Sequence, residues 1–165
     1  MSPRRALPSS GYAAPTPRRC FSATRCSATT ARGSTCPRQR RRRVREELLP
    51  LASLATPNRF ELAWLAGLTV SDAAEARQAA LALGVPAVLA TSVPASDNRF
   101  ANVLVTGQEA TGCFVRRRPS APHGTGDLLA AMYLGNRLNG HSSGYCLGAA
   151  VSAVDASVGR QHGPG

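Results

Sequence analysis

Charge is divided along this chain so sharply that it confines a folded unit to the stretch after residue 43. Residues 1–43 carry eleven Arg and no Asp or Glu, whereas residues 44–165 carry nine Arg and nine acids. The formal net charge of +11 therefore belongs to the first segment, and the remainder is balanced. The first segment is rich in Arg, Ser, Thr, Pro and Ala and shows neither a helical nor a strand period. Such a stretch buries too little apolar surface to offset its ordering entropy, so it is expected to be a disordered basic tail. Residues 44–165 are long enough for one domain of ordinary size.

The chain has no Lys. A Walker A loop needs a lysine ammonium at the phosphates, so that motif is excluded, and a phosphate site here must use backbone N–H groups or Arg. The five Cys fit no zinc template, and their odd number is expected of free thiols in a reducing compartment. No run approaches the roughly 18 apolar residues of a membrane span. The chain is expected to be soluble and cytoplasmic, without a membrane partner.

Order is expected to begin near Val44. VREELLPLA reads as a short helix ending at Pro50, and LASLAT as an apolar strand. Pro57 breaks that strand, Asn58 can cap, and FELAWLAG reads as a helix closed by Gly67. Residues 71–84 form a second helix with Ser71 as N-cap and Gly84 at its end. VPAVLATS reads as a buried strand, and ANVLVTGQEATGCFVR as a hairpin turning near 107–111. A loop follows over 119–127, then helices over 127–140 and 144–158. The alternation predicts an α/β fold with a mostly parallel sheet and helices packed on it. Ligands bind such sheets beyond the carboxyl ends of strands, and TPN, ATSV and HGTGD all fall there.

Each of these three stretches has a structural and a chemical reading. Gly124, Thr125 and Gly126 run into Asp127 at the start of an apolar helix. Glycines before a helix let N–H groups approach an anion, and the helix N-terminus adds about half a positive charge. A carboxylate there can deprotonate a hydroxyl as it meets a phosphoryl group. Alternatively Asp127 is an N-cap worth about 1 kcal/mol. Asn58 and Glu61, three apart at a strand-to-helix junction, suit Mg²⁺, directly or through water. They equally suit a reciprocal capping pair. Thr91 and Ser92 end a strand, where their hydroxyls could meet a phosphate or a monovalent cation.

Taken together, TPNRFELAWLAG, ATSV, a hairpin and PHGTGDLLAAMYLGNRLNG closely resemble the C-terminal half of the pyridoxal kinases, within the ribokinase-like sugar and vitamin kinases. The TPN-x-x-E and GTGD-L-x-AA patterns are intact, and LPLASLATPN resembles the family's lead-in strand. The resemblance covers roughly residues 44–160 and implies the C-terminal portion of a three-layer α/β/α fold. It implies ATP-dependent phosphorylation of pyridoxal and related B6 vitamers at the 5′-hydroxyl. Asp127 then matches the catalytic base. Gly124, Thr125 and Gly126 match the anion hole, with Thr125 also a nucleotide contact. Thr91 and Ser92 match nucleotide or monovalent-cation contacts, and Asn58 and Glu61 the Mg–ATP motif. The family also implies a homodimer. By the same resemblance Arg118 and Pro119 fall near the loop that covers the adenine side, while Arg116, Arg117 and Arg118 take no individual role and read equally as a solvated loop.

Nothing in residues 1–43 resembles the family's N-terminal half, which supplies its first strands and ring pocket. A truncated or mis-framed coding sequence is the expectation, and the fragment is then an inactive, nucleotide-binding remnant or a partial kinase. A transit peptide or a nucleic-acid-binding arm are the competing readings of the tail. With few aromatics for base stacking, nucleic-acid binding by the tail would be phosphate-driven and salt-sensitive.

Overall fold

A computed structural model of the chain describes residues 20–21, 38–118 and 124–160. Most of the basic tail lies outside the described residues. Its described parts are structured: Cys20–Phe21 form a short strand (β1) and Arg38–Arg43 a helix (α1). Helical winding continues as a π-type turn over Val44–Leu48 and a 3₁₀ turn over Leu49–Leu51. Order in this region thus starts ahead of Val44, because Arg42 and Arg43 pair with Glu46 and Glu47 one turn on. Pro50 does not end the winding; it sits in the first positions of the 3₁₀ turn, where its missing N–H leaves no bond unmade.

The remaining elements are β2 (Leu54–Ala55), α2 (Arg59–Ala66), α3 (Ala73–Ala82), β3 (Ala87–Ala95), β4 (Arg99–Thr106), β5 (Glu109–Arg116), α4 (Thr125–Leu138) and α5 (Ser143–Arg160). The five strands form one sheet in sequential order. β1–β2 and β2–β3 are parallel, whereas β3–β4 and β4–β5 are antiparallel. The sheet is therefore mixed rather than mostly parallel. The antiparallel half follows from two tight turns, Ser96–Asn98 and Gly107–Gln108. Asp97, Asn98 and Gly107 all take positive φ, and Asp, Asn and Gly are the residues that tolerate it best.

The two faces of the sheet bury different clusters. Val88, Ala90, Val103 and Val105 pack on one side with Leu62 of α2 and Ala76, Ala79 and Ala80 of α3. Leu54, Leu89 and Leu104 pack on the other with Leu129 and Tyr133 of α4 and Leu147 and Ala150 of α5. The period-two alternation of strand side chains produces this division, and helices on both faces give a three-layer α/β/α arrangement. The N-cap of α3 is Asp72, whose carboxylate accepts from Glu75 N–H at 2.8 Å, and not Ser71.

β3 extends beyond the strand read from sequence, through Pro94 to Ala95. Past Thr91 the strand has only β4 as a ladder partner, so a proline without an N–H is tolerated on the open side. Thr91 and Ser92 therefore lie not at a strand end but in a register shift between Ala90 and Val93, with Ser92 at φ 57°.

Candidate active site

The site begins where β2 runs into α2. Asn58 caps α2: its side-chain oxygen accepts from Phe60 N–H at 2.9 Å and from Glu61 N–H at 3.0 Å. Glu61 Oε2 reciprocates by accepting from Asn58 N–H at 2.9 Å. The capping reading of this pair is thus realised. It does not exhaust Glu61. The residue is buried, and its Oε1 has no hydrogen-bond partner among the described residues. The hydroxyl of Thr56, two residues before Asn58, is buried and unpartnered as well. Burial pushes the Glu61 carboxyl up to about 7, the negative charge of Asp127 adds to the rise, and the Asn58 N–H bond opposes it.

Thr91 lies directly beside this junction. Its N–H donates to Pro57 O at 2.9 Å, and an isolated parallel bridge joins it to Asn58. The register shift at Thr91–Ser92 buries Thr91 and turns Ser92 outward. Bulges of this kind commonly re-aim side chains next to active sites.

The third component is the start of α4. Gly124 is its N-cap in the left-handed region at φ 92°, a conformation that favours glycine, and it offers no side-chain cap. Asp127 stands in the first turn, exposed, and accepts no hydrogen bond among the described residues. It is not the N-cap, so the capping reading fails, and an acid in the first turn complements the helix dipole. Among the described residues no side chain caps the first-turn N–H groups. His123, the residue before Gly124, lies outside the described residues.

A cavity of about 140 Å³ opens beside the Thr91–Ser92 shift and the start of α4. Thr91, Ser92, Thr125 and Gly126 line it together with Leu129 of α4, Val115 and Arg116 of β5, Arg118, and valines and Asp155 of α5. The sequence-stated residues Thr91, Ser92, Thr125 and Gly126 are thus brought together. Glu61 and Asp127 sense each other electrostatically but do not line the cavity.

The comparisons with known proteins decide the family. The model of the phosphomethylpyrimidine kinase family matches residues 26–165. The chain belongs to that family. The match begins inside the basic segment, ahead of the stretch that carries the resemblance to pyridoxal kinases. A pyridoxal kinase from Photobacterium profundum is 36% identical over 107 residues, 59% of this chain and 36% of that protein. One from Rubrobacter xylanophilus is 34% identical over 120 residues, 68% of this chain and 41% of that protein. Among solved structures, a pyridoxal kinase from Entamoeba histolytica superimposes with a TM-score of 0.71 at 22% identity, over 78% of this chain and 48% of that one. An ADP complex of Bacillus subtilis pyridoxal kinase gives 0.62 at 27% identity, over 78% and 49%. This member of the family therefore spans less than half the length of these relatives. The superimposed part of the two solved structures shares the layered arrangement described above.

Sequence reading missed part of the cavity wall of this family member. The resemblance puts Arg118 near the adenine-side loop without an individual role, and its contact with Asp155, at 2.8 Å, is new. Pro119 lies outside the described residues. Phe100, Asn102 and the α5 valines were also unassigned. Asp155 is the sole acid in the small-residue run of α5, and that was the available signal.

Proposed function

We propose that this chain carries the nucleotide and phosphoryl-transfer portion of an ATP-dependent kinase whose acceptor is the 5′-hydroxyl of pyridoxal. The observation that carries the reading is Asp127: an uncapped, exposed carboxylate in the first turn of α4, behind a left-handed Gly124 and beside the cavity. Asp127 accepts the proton of the attacking hydroxyl. The N–H groups of the Gly124–Gly126 turn face the charge that develops on the transferred phosphoryl oxygens. Thr91, Ser92 and Thr125 orient the nucleotide, and the Thr91–Ser92 pair is also where a monovalent cation would be held. Pyridoxal as acceptor is supported by the names of the relatives and by the intact TPN-x-x-E and GTGD patterns.

Mg²⁺ fits the residues present. Buried Glu61 Oε1 lacks a partner among the described residues, and a hard cation takes carboxylate oxygens. Asn58 directs its amide oxygen at two N–H groups of the cap, so Glu61 is the holding residue and Asn58 fixes its rotamer. When bound, the ion supplies charge neutralisation at the phosphates. A homodimer and a cytoplasmic location are read from the family resemblance.

A second reading is a nucleotide-binding module without turnover, resting on the cavity that joins Thr91, Ser92, Thr125 and Gly126. One assay separates them: pyridoxal phosphate formation from Mg–ATP and pyridoxal by the native chain and by Asp127→Asn. The kinase reading expects turnover in the native chain and a loss of about a hundred- to ten-thousand-fold in the variant. Equal rates in both would remove Asp127 from the chemistry. No turnover in the native chain, with ATP still bound, supports the second reading.

A further inference from the structure

The run RQRRRRVR, residues 38–45, holds six Arg and no acid, and nothing in the proposed chemistry uses it. The fold sets this run beside α2. Val44 and Trp64 pack against the same buried residues, Leu49, Ala55 and Leu65. The Arg41 guanidinium lies over the Trp64 ring, 5.7 Å from its centroid. One turn before Trp64 on the same face of α2, Phe60 is 47% exposed and carries the Arg59 guanidinium 4.0 Å from its ring centroid. Two aromatic rings, each with a guanidinium over it, thus stand in line next to a basic helix. The nearby acids do not cancel this charge. Glu61, the acid of α2, is buried. Glu46 and Glu47 pair with Arg42 and Arg43, but such exposed pairs are worth little, so a phosphate can take either guanidinium. Neither Phe60 nor Trp64 lines the cavity at the start of α4.

We infer that this face of α1 and α2 binds single-stranded nucleic acid, with bases stacked at Phe60 and Trp64 and phosphates on Arg41, Arg42, Arg43, Arg45 and Arg59. Single strands are held in this way, by a positive track for the backbone and aromatic rings for successive bases. A guanidinium plane also stacks a base, so the arginines over the two rings extend the stacking surface. The formal net charge of +11 complements a polyanion. The basic segment has few aromatics of its own, and α2 supplies the rings it lacks. A duplex fits this face less well, because its bases are already stacked on one another. A lipid surface also fits less well: α1, RQRRRR, has no apolar residue to bury in it.

Trp64 is the single Trp of the chain, so its emission reports on this face directly. The probe is an oligodeoxythymidylate of about ten nucleotides, within the usual span of such sites, titrated into the full chain at several salt concentrations. Inorganic polyphosphate of matched charge and phosphatidylserine vesicles are the controls. The oligonucleotide is expected to quench Trp64 saturably, and polyphosphate to bind more weakly and without quenching. Phe60→Ala is expected to weaken the oligonucleotide about tenfold, the worth of one stacked base, and to leave polyphosphate unmoved. Phe60→Leu, which keeps an apolar group without a ring, should behave as Phe60→Ala. Arg59→Gln should lower the slope of log K against log salt by about 0.7, one phosphate contact. Saturation by the oligonucleotide without quenching overturns the inference, as does native affinity in Phe60→Ala or Phe60→Leu. Polyphosphate that binds as tightly as the oligonucleotide also overturns it, because charge alone then suffices. Vesicles that quench Trp64 where the oligonucleotide does not would put a membrane on this face instead.

Discussion

At the scale of single residues, the site turns on two carboxylates with different surroundings. Among the described residues Asp127 is exposed and accepts no hydrogen bond, whereas Glu61 is buried with one oxygen engaged and one not. A folded carboxyl at about 7 against 4.5 holds a proton that the unfolded chain has released. Its contribution to stability is therefore full below about pH 4.5 and is lost as pH rises through about 7. Glu61→Gln keeps an acceptor for Asn58 N–H and removes the titration. Relative to the native chain, the variant should gain stability between pH 5 and pH 8, on the order of 2 kcal/mol. Thermal melts across that range check this, and parallel pH profiles for the two proteins would contradict it. Mg²⁺ should raise the native Tm at pH 8 and leave that of Glu61→Gln unmoved. The residue types and spacings of this pair were legible in the sequence. That Asn58 directs its oxygen to the cap while Glu61 keeps one oxygen unpartnered was not, because both readings use the same two residues three apart.

At the scale of elements, two junctions aim the chemistry. Asn58→Ala removes an acceptor of two N–H groups and should cost about 1 kcal/mol, up to about 2. Urea titration measures that loss. Because the same change unpins the α2 entrance beside Thr91, Mg²⁺ stabilisation should fall with it. Gly124→Ala tests the other junction. Its Cβ meets no neighbour, so the penalty comes only from the left-handed backbone, about 1 kcal/mol. If the first turn of α4 holds phosphate, tripolyphosphate affinity should drop in this variant by more than stability alone explains. Helix positions were readable from caps and periodicity because those signals are local. The path of β3 was not. Pro94 reads as a stop in isolation, and only the absence of a second ladder partner at that point makes it compatible with a strand. The antiparallel pairing of β3 with β4 was written in the Asp97–Asn98 turn, whose signal the proline masked.

At the scale of the molecule, the chain holds a sheet covered by helices on both faces but leaves β5 as an edge. Its residues are largely exposed, Phe114 at 54%. A long, exposed edge strand templates association. Phe114→Lys places a charge on that edge, and static light scattering should show a lower aggregate mass than for the native chain at equal concentration. The layered fold was legible because strand and helix periods alternate along the sequence. The cavity wall was not, because it joins Arg118 to Asp155 across 37 residues, and no local pattern records such a contact. The central claim is that this portion of a longer kinase fold holds the nucleotide by itself. Calorimetric titration of ATP into the full chain, with and without Mg²⁺, tests it most directly. Saturable one-to-one binding that tightens with Mg²⁺, and that Glu61→Gln makes insensitive to the ion, is the result predicted. No saturable heat up to millimolar ATP, or binding indifferent to both Mg²⁺ and Glu61, would contradict it.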